Sequence, residues 1–167
     1  MTLNKRNFIN LSDIKKEELN KILKRARQLK KLRAKGTAFK NSLAEVNLAM
    51  IFEKPSTRTR VSFEVGINRL GGYPLTLLKN DIQLGKSETV GDTSQVLSRF
   101  LGAMTYRCYA HADVEELAKH ATVPVINALS DKHHPCQSAA DLMTILEHFD
   151  RTEDLKVAWV GDGNNVL

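Results

Sequence analysis

Apolar and polar blocks alternate along this chain of 167 residues and predict strands and helices in turn. The apolar runs that have the length of buried strands are 46–52, 74–78, 103–109, 123–127 and 156–160. The stretches that have helical spacing lie between them, at 58–70, 92–101, 113–121 and 137–149. Strands separated by helices are typical of crossover units. The pattern predicts an α/β fold, with a parallel sheet of about four strands and helices on both faces.

The last apolar run, 156–160, leads into the sequence GDGNN, and the chain ends at Leu167. A single strand cannot bury its faces without further elements. We therefore expect residues 1–150 to form one domain. Residues 151–167 are expected to be the junction to a second α/β domain and its first strand.

Before the first strand, residues 13–35 have the spacing of an amphipathic helix, with Ser12 as N-cap and Gly36 as the stop. Residues 1–40 hold 13 Lys and Arg against 3 Asp and Glu, so the net charge of +6 arises in this segment. Two interpretations remain: a solvated helix face or an arm that binds nucleic acid. No aromatic residues alternate with the charges, which favours the solvated face and no nucleic-acid partner.

Composition also limits the cellular setting. No apolar stretch reaches the roughly 18 residues that a membrane-spanning helix needs, and the N-terminus lacks the apolar core of a secretory signal. Cys108 and Cys136 do not have the spacing of a zinc or redox motif. The sequence therefore predicts a cytoplasmic protein without a membrane partner.

The most informative motif is FEKPSTRTR, residues 52–60. A strand brings the chain to Pro55, Ser56 can cap the next helix, and Thr57, Arg58 and Thr59 occupy its first turn. The first N–H groups of a helix have no internal partner, and the helix dipole adds partial positive charge there. Hydroxyl groups and an arginine at this point predict a cradle for phosphate.

Other polar residues follow the predicted strands at the same edge of the sheet, where ligands bind in α/β proteins. Arg107 lies late in the strand predicted at 103–109 and is either a second cation for the anion or a snorkelling or paired arginine at a strand edge. The segment HHPCQ, residues 133–137, suggests a metal site. However, adjacent histidines rarely converge on one ion, and no carboxylate or cysteine pair completes the set. We therefore expect no metal.

These segments, in this order, resemble the carbamoyl phosphate domain of the aspartate and ornithine carbamoyltransferase family, and FEKPSTRTR is more similar to the ornithine type. The resemblance covers nearly the whole chain but about half of a full-length member. It implies a homotrimer in which the loop 81–88 enters the neighbouring subunit's site; without the resemblance, that loop reads as a solvated linker. The implied substrate-binding residues are Ser56, Thr57, Arg58, Thr59, Gln83, Arg107, His134, Gln137 and, for the acceptor, Asn165.

Within this resemblance Arg58, Arg107 and His134 are the implied catalytic residues, and Cys136 is given no role. The implied reaction transfers a carbamoyl group to the side-chain amine of L-ornithine in arginine biosynthesis, without a cofactor. This chain alone is expected to lack turnover, since the acceptor domain is not part of it. The alternatives are another acceptor, such as putrescine, or a non-catalytic fragment that binds phosphate or forms trimers.

Overall fold

A computed structural model of the chain describes residues 6–37 and 42–164. In these residues four strands, β1 (Asn47–Phe52), β2 (Tyr73–Leu78), β3 (Ala103–Arg107) and β4 (Val125–Asn127), form one parallel sheet in the order β2-β1-β3-β4. The helices are α1 (Lys16–Ala34), α2 (Arg58–Arg69), α3 (Val90–Ser98), α4 (His111–His120) and α5 (Pro135–Phe149). The predicted α/β class and the parallel sheet are confirmed.

Both faces of the sheet are covered by helices. Ala49 and Ile51 of β1 belong to a core cluster with Leu117 of α4, whereas Met50 belongs to a second cluster with Ile67 of α2. Successive side chains of a strand point to opposite faces, so a strand buried on both sides is apolar throughout. This explains why the sequence shows continuous apolar runs and confirms helices on both faces.

Strand register brings the carboxyl ends of the central strands together. Phe52, the last residue of β1, pairs with Arg107 of β3 on one side and with Leu78 of β2 on the other. The chain then turns into α2, and the backbone N–H of Glu53 donates to the carbonyl of Arg107 at 3.0 Å. The motif 52–60 therefore starts beside Arg107.

The start of the first helix differs from the prediction. Helix α1 begins at Lys16 with Lys15 as N-cap and no side-chain cap, so the prediction of Ser12 as the cap is wrong. Residues Leu11–Asp13 instead form a separate 3-10 turn, in which the Asp13 carboxylate accepts from the Asn10 N–H at 2.9 Å. Ile14 has extended backbone and separates this turn from the helix.

The predicted end of that helix is confirmed. Helix α1 ends at Ala34, two residues before Gly36, whose φ of +67° lies in the left-handed region that favours glycine. Ion pairs join α1 to the chain around α5: Lys30 to Glu147 at 2.6 Å, and Lys16 to Glu153.

The predicted strand at 156–160 is wrong for this structure, which has no regular element there. Val157 is 79% exposed and Trp159 is 54% exposed. A strand requires a neighbouring backbone that satisfies its N–H and C=O groups, and none of the described residues provides one. The division into domains at residue 150 stays a prediction.

No helix within the described ranges is both long enough and apolar enough to cross a membrane.

Candidate functional site

A cavity of about 600 Å³ opens at the carboxyl ends of β1 and β3, beside the N-terminus of α2. Its walls come from segments that are distributed along the sequence: the start of α2, the end of β3, the loop before α5 and the start of α5. The structure here brings together most of the predicted site residues, namely Ser56, Thr57, Arg58, Thr59, Arg107, His134 and Gln137.

The first wall is the N-terminus of α2, which no side chain caps. Thr57, not Ser56, is the N-cap residue, so the predicted cap is misplaced by one residue. Thr57 has helical backbone, with φ −85° and ψ −58°, and makes no side-chain capping hydrogen bond. The first-turn N–H groups and the positive end of the helix dipole are therefore available to an anion.

Arg107 forms the second wall. Its Nη1 donates to Thr59 Oγ1 at 3.4 Å, and its Nε is buried without a hydrogen-bond partner among the described residues. Burial, and secondly the charge of Arg58, lower the pKa of Arg107. A half-buried guanidinium without a carboxylate is costly unless a ligand supplies the negative charge.

The two arginines of the motif differ in what they bind. Arg60 Nε donates to Glu64 Oε1 at 3.0 Å, and the same oxygen accepts from Thr76 Oγ1 at 2.5 Å. Arg60 therefore joins α2 to β2, whereas Arg58 has no ion pair with any described residue and lines the cavity. The pair of cations left for an anion is Arg58 and Arg107.

The third wall carries His134 and Gln137 at the start of α5. His134 Nδ1 is buried and has no hydrogen-bond partner in the described part of the chain. Burial, then the charge of Arg107, lower the pKa of His134, so its ring is neutral at pH 7. The Gln137 amide nitrogen donates to Asp141 at 2.9 Å, which leaves its oxygen as an acceptor for a ligand N–H.

Two predicted residues are not in this cavity. Gln83 is exposed in a turn whose neighbour Leu84 is only 4% exposed and packs in the core. The Gln83 carbonyl accepts from the Lys86 N–H at 2.9 Å. Asn165 lies outside the described residues.

The described residues contain no group of three His, Cys, Asp or Glu side chains that could hold a metal ion. His133, which the sequence suggested as a ligand, instead packs edge-on against His111, with ring centroids 5.0 Å apart.

Residues 6–147 match the sequence model of the aspartate/ornithine carbamoyltransferase carbamoyl-P binding domain. The chain belongs to the aspartate/ornithine carbamoyltransferase family. It is 53% identical to the ornithine carbamoyltransferase of Methanospirillum hungatei over 162 residues. The matched region covers 97% of this chain and 53% of that protein. The chain is also 53% identical over 161 residues to the ornithine carbamoyltransferase of Thermococcus kodakarensis, covering 96% of this chain and 51% of that protein.

Solved structures of this carbamoyltransferase family have the same fold. The ornithine carbamoyltransferase from Pyrococcus furiosus superposes with a TM-score of 0.93 at 50% identity, over 99% of this chain and 52% of that one. The ornithine carbamoyltransferase from Thermus thermophilus superposes with a TM-score of 0.88 at 43% identity, over 95% of this chain and 54% of that one. The chain thus spans about half the length of the carbamoyltransferases it matches.

Sequence reasoning missed several residues that line the cavity. Leu129 lines the cavity with φ of 128°, a strained backbone that no sequence signal announces. Phe63 lies one helical turn into α2, where its apolar character predicts only core packing. Cys136, given no role, also lines the cavity, and burial raises the pKa of its thiol to about 11. The thiol is therefore protonated at pH 7.

Proposed function

We propose that this chain binds carbamoyl phosphate in the cavity at the N-terminus of α2, as the donor half of an ornithine carbamoyltransferase. The observation that carries the proposal is the pair Arg58 and Arg107, which have no carboxylate partner among the described residues and flank an uncapped helix N-terminus. A phosphate dianion satisfies two guanidinium groups and the free N–H groups at once.

In the proposed reaction a neutral amine attacks the carbonyl carbon of carbamoyl phosphate and a tetrahedral intermediate forms. The C–O bond to phosphate then breaks, and the departing phosphate takes the proton that the nitrogen loses. Ser56, Thr57 and Arg58, at the start of α2, bind the phosphate. Donors already in place for the developing charge supply most of the rate gain in reactions of this kind.

The carbamoyl end faces the other two walls. Arg107, His134 and Thr59 donate to the developing oxyanion, and the oxygen of Gln137 accepts from the carbamoyl NH₂. Neutral His134 suits this role, because it can donate from one nitrogen without adding a third full charge beside Arg58 and Arg107.

L-Ornithine is the proposed acceptor, and citrulline and phosphate are the products, as a cytoplasmic step of arginine biosynthesis. The names of the relatives support this acceptor. Asn165 is proposed to contact the amino acid. Because the relatives are about twice as long, we propose that residues 151–167 begin a second domain that completes the acceptor site.

A homotrimer is proposed to supply Gln83 from a neighbouring subunit. Gln83 is exposed and absent from the cavity of its own chain, while Leu84 fixes the base of its turn in the core. Such a turn can present a side chain outward at small entropic cost. Gln83→Ala would then weaken carbamoyl phosphate binding by the trimer without lowering the thermal stability of the subunit.

Calorimetric titration with carbamoyl phosphate, and separately with inorganic phosphate and ATP, tests the proposal. We expect carbamoyl phosphate to bind more tightly than phosphate, since only the carbamoyl group reaches His134 and Gln137, and ATP not to compete. A colorimetric assay for citrulline should detect no product from this chain alone. Equal affinity for phosphate and carbamoyl phosphate, or robust citrulline production, would contradict it.

A further inference from the structure

The loop 128–134, between β4 and α5, carries two cavity residues, Leu129 and His134. Behind the cavity it rests on a buried polar pair. His111, the first residue of α4, is 3% exposed and is not part of the cavity wall, and its Nδ1 lies 2.7 Å from Ser130 Oγ. The backbone N–H of His111 also donates to the Asp131 carboxylate at 2.6 Å. One residue of α4 thus contacts two residues of the loop.

We propose that His111 is a positioning residue. Its neutral ring accepts a hydrogen bond from the Ser130 hydroxyl and so holds the loop 128–134 in the conformation that presents Leu129 and His134 to the ligand. The effect of His111 on the affinity for carbamoyl phosphate rests on the proposed function. The effect of His111 on the conformation of the loop is independent of that function.

The contacts of Ser130 support a neutral His111 ring that accepts at Nδ1. Ser130 Oγ accepts from the His133 N–H at 3.2 Å and lies 3.5 Å from Asn127 Nδ2. His111 Nδ1, at 2.7 Å, is closer to Ser130 Oγ than either of these donors, and we assign the Ser130 hydroxyl as the donor of a hydrogen bond to the neutral ring. The ring proton is then on Nε2, which faces the Glu115 carboxylate at 3.6 Å.

Protonation of His111 breaks this arrangement. A protonated Nδ1 can no longer accept a hydrogen bond from the Ser130 hydroxyl and instead donates to that oxygen, which already accepts from the His133 N–H. The hydroxyl proton must also turn to another acceptor, and the nearby one is the His133 carbonyl at 3.3 Å. That carbonyl already closes the turn by accepting from the Ser130 N–H at 3.0 Å. Protonation of His111 is therefore expected to disturb the hydrogen bonds of the turn that precedes His134.

Leu129 makes the loop sensitive to such a change. Its strained backbone is held by two bonds: its N–H donates to Asn127 Oδ1 at 2.9 Å, and its carbonyl accepts from the Cys108 N–H at 3.1 Å. A strained conformation persists only where its surroundings over-determine it. Asn127 also contacts Ser130, so one network holds both.

The charged groups that face His111 come from α4 and from the loop. Glu115 and Asp131 favour the protonated ring, whereas Lys132 and His133 oppose it. Burial is the largest influence and lowers the pKa of His111 below its usual value of about 6.5. The ring is therefore neutral at pH 7 and becomes charged only as the pH falls through that lowered pKa.

NMR of the ¹⁵N-labelled chain from about pH 7.5 to about pH 5 tests the coupling directly. We expect the amides of Leu129, Ser130 and His134 to shift with the same midpoint as the His111 ring. In His111→Gln the amide oxygen can still accept the Ser130 proton but cannot be protonated, so these shifts should disappear. His120→Gln is the matched control, since His120 ends the same helix and also pairs with a glutamate, Glu116.

Loop amides that do not follow His111, or that keep the same midpoint in His111→Gln, would overturn the inference. Calorimetry then connects the coupling to the ligand. Between about pH 7.5 and a pH below the His111 midpoint that NMR gives, the affinity for carbamoyl phosphate should fall about three- to tenfold more in the wild type than in His111→Gln, which corresponds to roughly one hydrogen bond. His134 and the ligand titrate in both proteins, so the difference isolates His111.

The two proposals fail in different ways. No binding of carbamoyl phosphate by the folded wild type would contradict the proposed function, and the NMR result would still decide the coupling. Binding with the same pH profile in the wild type and in His111→Gln would contradict the positioning role and leave the proposed function standing.

Discussion

At the scale of single residues, the distinctive feature of the site is that its two cations have no carboxylate partners among the described residues. Arg60 has a carboxylate partner in Glu64, but Arg58 and Arg107 have none among the described residues. The buried Nε of Arg107 and Nδ1 of His134 also lack partners there. Unsatisfied buried polar atoms are rare in folded proteins and call for an explanation. A bound anion with a carbonyl group would satisfy them.

The lowered pKa of His134 predicts a dependence of stability on pH. A histidine whose pKa is lower in the folded state contributes stability that is present above its usual value of about 6.5 and is lost as the pH falls through the folded pKa. His134→Gln removes this dependence. The difference in free energy of unfolding between wild type and variant should shift in favour of the variant on acidification. Urea denaturation at about pH 7.5 and about pH 5.5 measures it; a constant difference would be inconsistent with a desolvated His134.

At the scale of elements, the N-terminus of α2 is held in place from the side. Glu64 accepts from both Arg60, on its own helix, and Thr76 of β2, so the carboxylate joins helix and edge strand. These two hydrogen bonds lower the pKa of Glu64 below its usual value. Fixing α2 against β2 in turn fixes the helix end that meets the ligand.

Glu64→Gln should therefore destabilise the chain by about 1 kcal/mol near pH 7, since it replaces a charged acceptor with a neutral one. The contribution of a carboxylate with a lowered pKa is present above its usual value of about 4.5 and is lost as the pH falls through the folded pKa. The two proteins should converge in strong acid. Glu116→Gln, which removes only surface ion pairs, serves as the control in the same denaturation series. A penalty that persists in acid would refute this explanation.

The elements also show what the sequence could predict. β1 and β3 are buried along nearly their whole length and were visible as continuous apolar runs, whereas β2 is a partly exposed edge strand that was visible from its apolar composition alone. Helices α3, α4 and α5 each begin two residues earlier than predicted, because their starts depend on the Thr89 cap, on a hydrogen bond from the first N–H of α4 to Asp131 and on Pro135, rather than on apolar spacing. The convergence of Arg58, Arg107 and His134 followed from parallel topology. The strain at Leu129 and the polar pair behind it depend on contacts that leave no local pattern.

At the scale of the whole molecule, residues 150–164 contribute little to the core. None of the described residues of this segment is buried, and the apolar side chains of Val157, Trp159 and Val160 are exposed. Clustered exposed apolar side chains mark surfaces that other chain segments or partners cover. This is the pattern expected at the edge of a domain that ends near residue 150.

A chain of residues 1–150 should therefore fold and bind carbamoyl phosphate as the full chain does. The truncation removes the exposed ion pair between Lys16 and Glu153, so the free energy of unfolding should hardly change. Chemical denaturation and calorimetry of the two chains side by side measure it. Loss of cooperative unfolding would show that residues 151–167 belong to the first domain.

The central claim is that Arg58 and the α2 N-terminus bind the phosphate of carbamoyl phosphate. Its most direct test is calorimetric titration of the wild type, Arg58→Ala and Arg69→Ala, the last at the far end of the same helix and outside the cavity. Loss of one charged hydrogen-bonding group should weaken binding about 10- to 100-fold in Arg58→Ala and leave Arg69→Ala unchanged. Equal binding by Arg58→Ala and the wild type, or an equal loss in both variants, would contradict the claim.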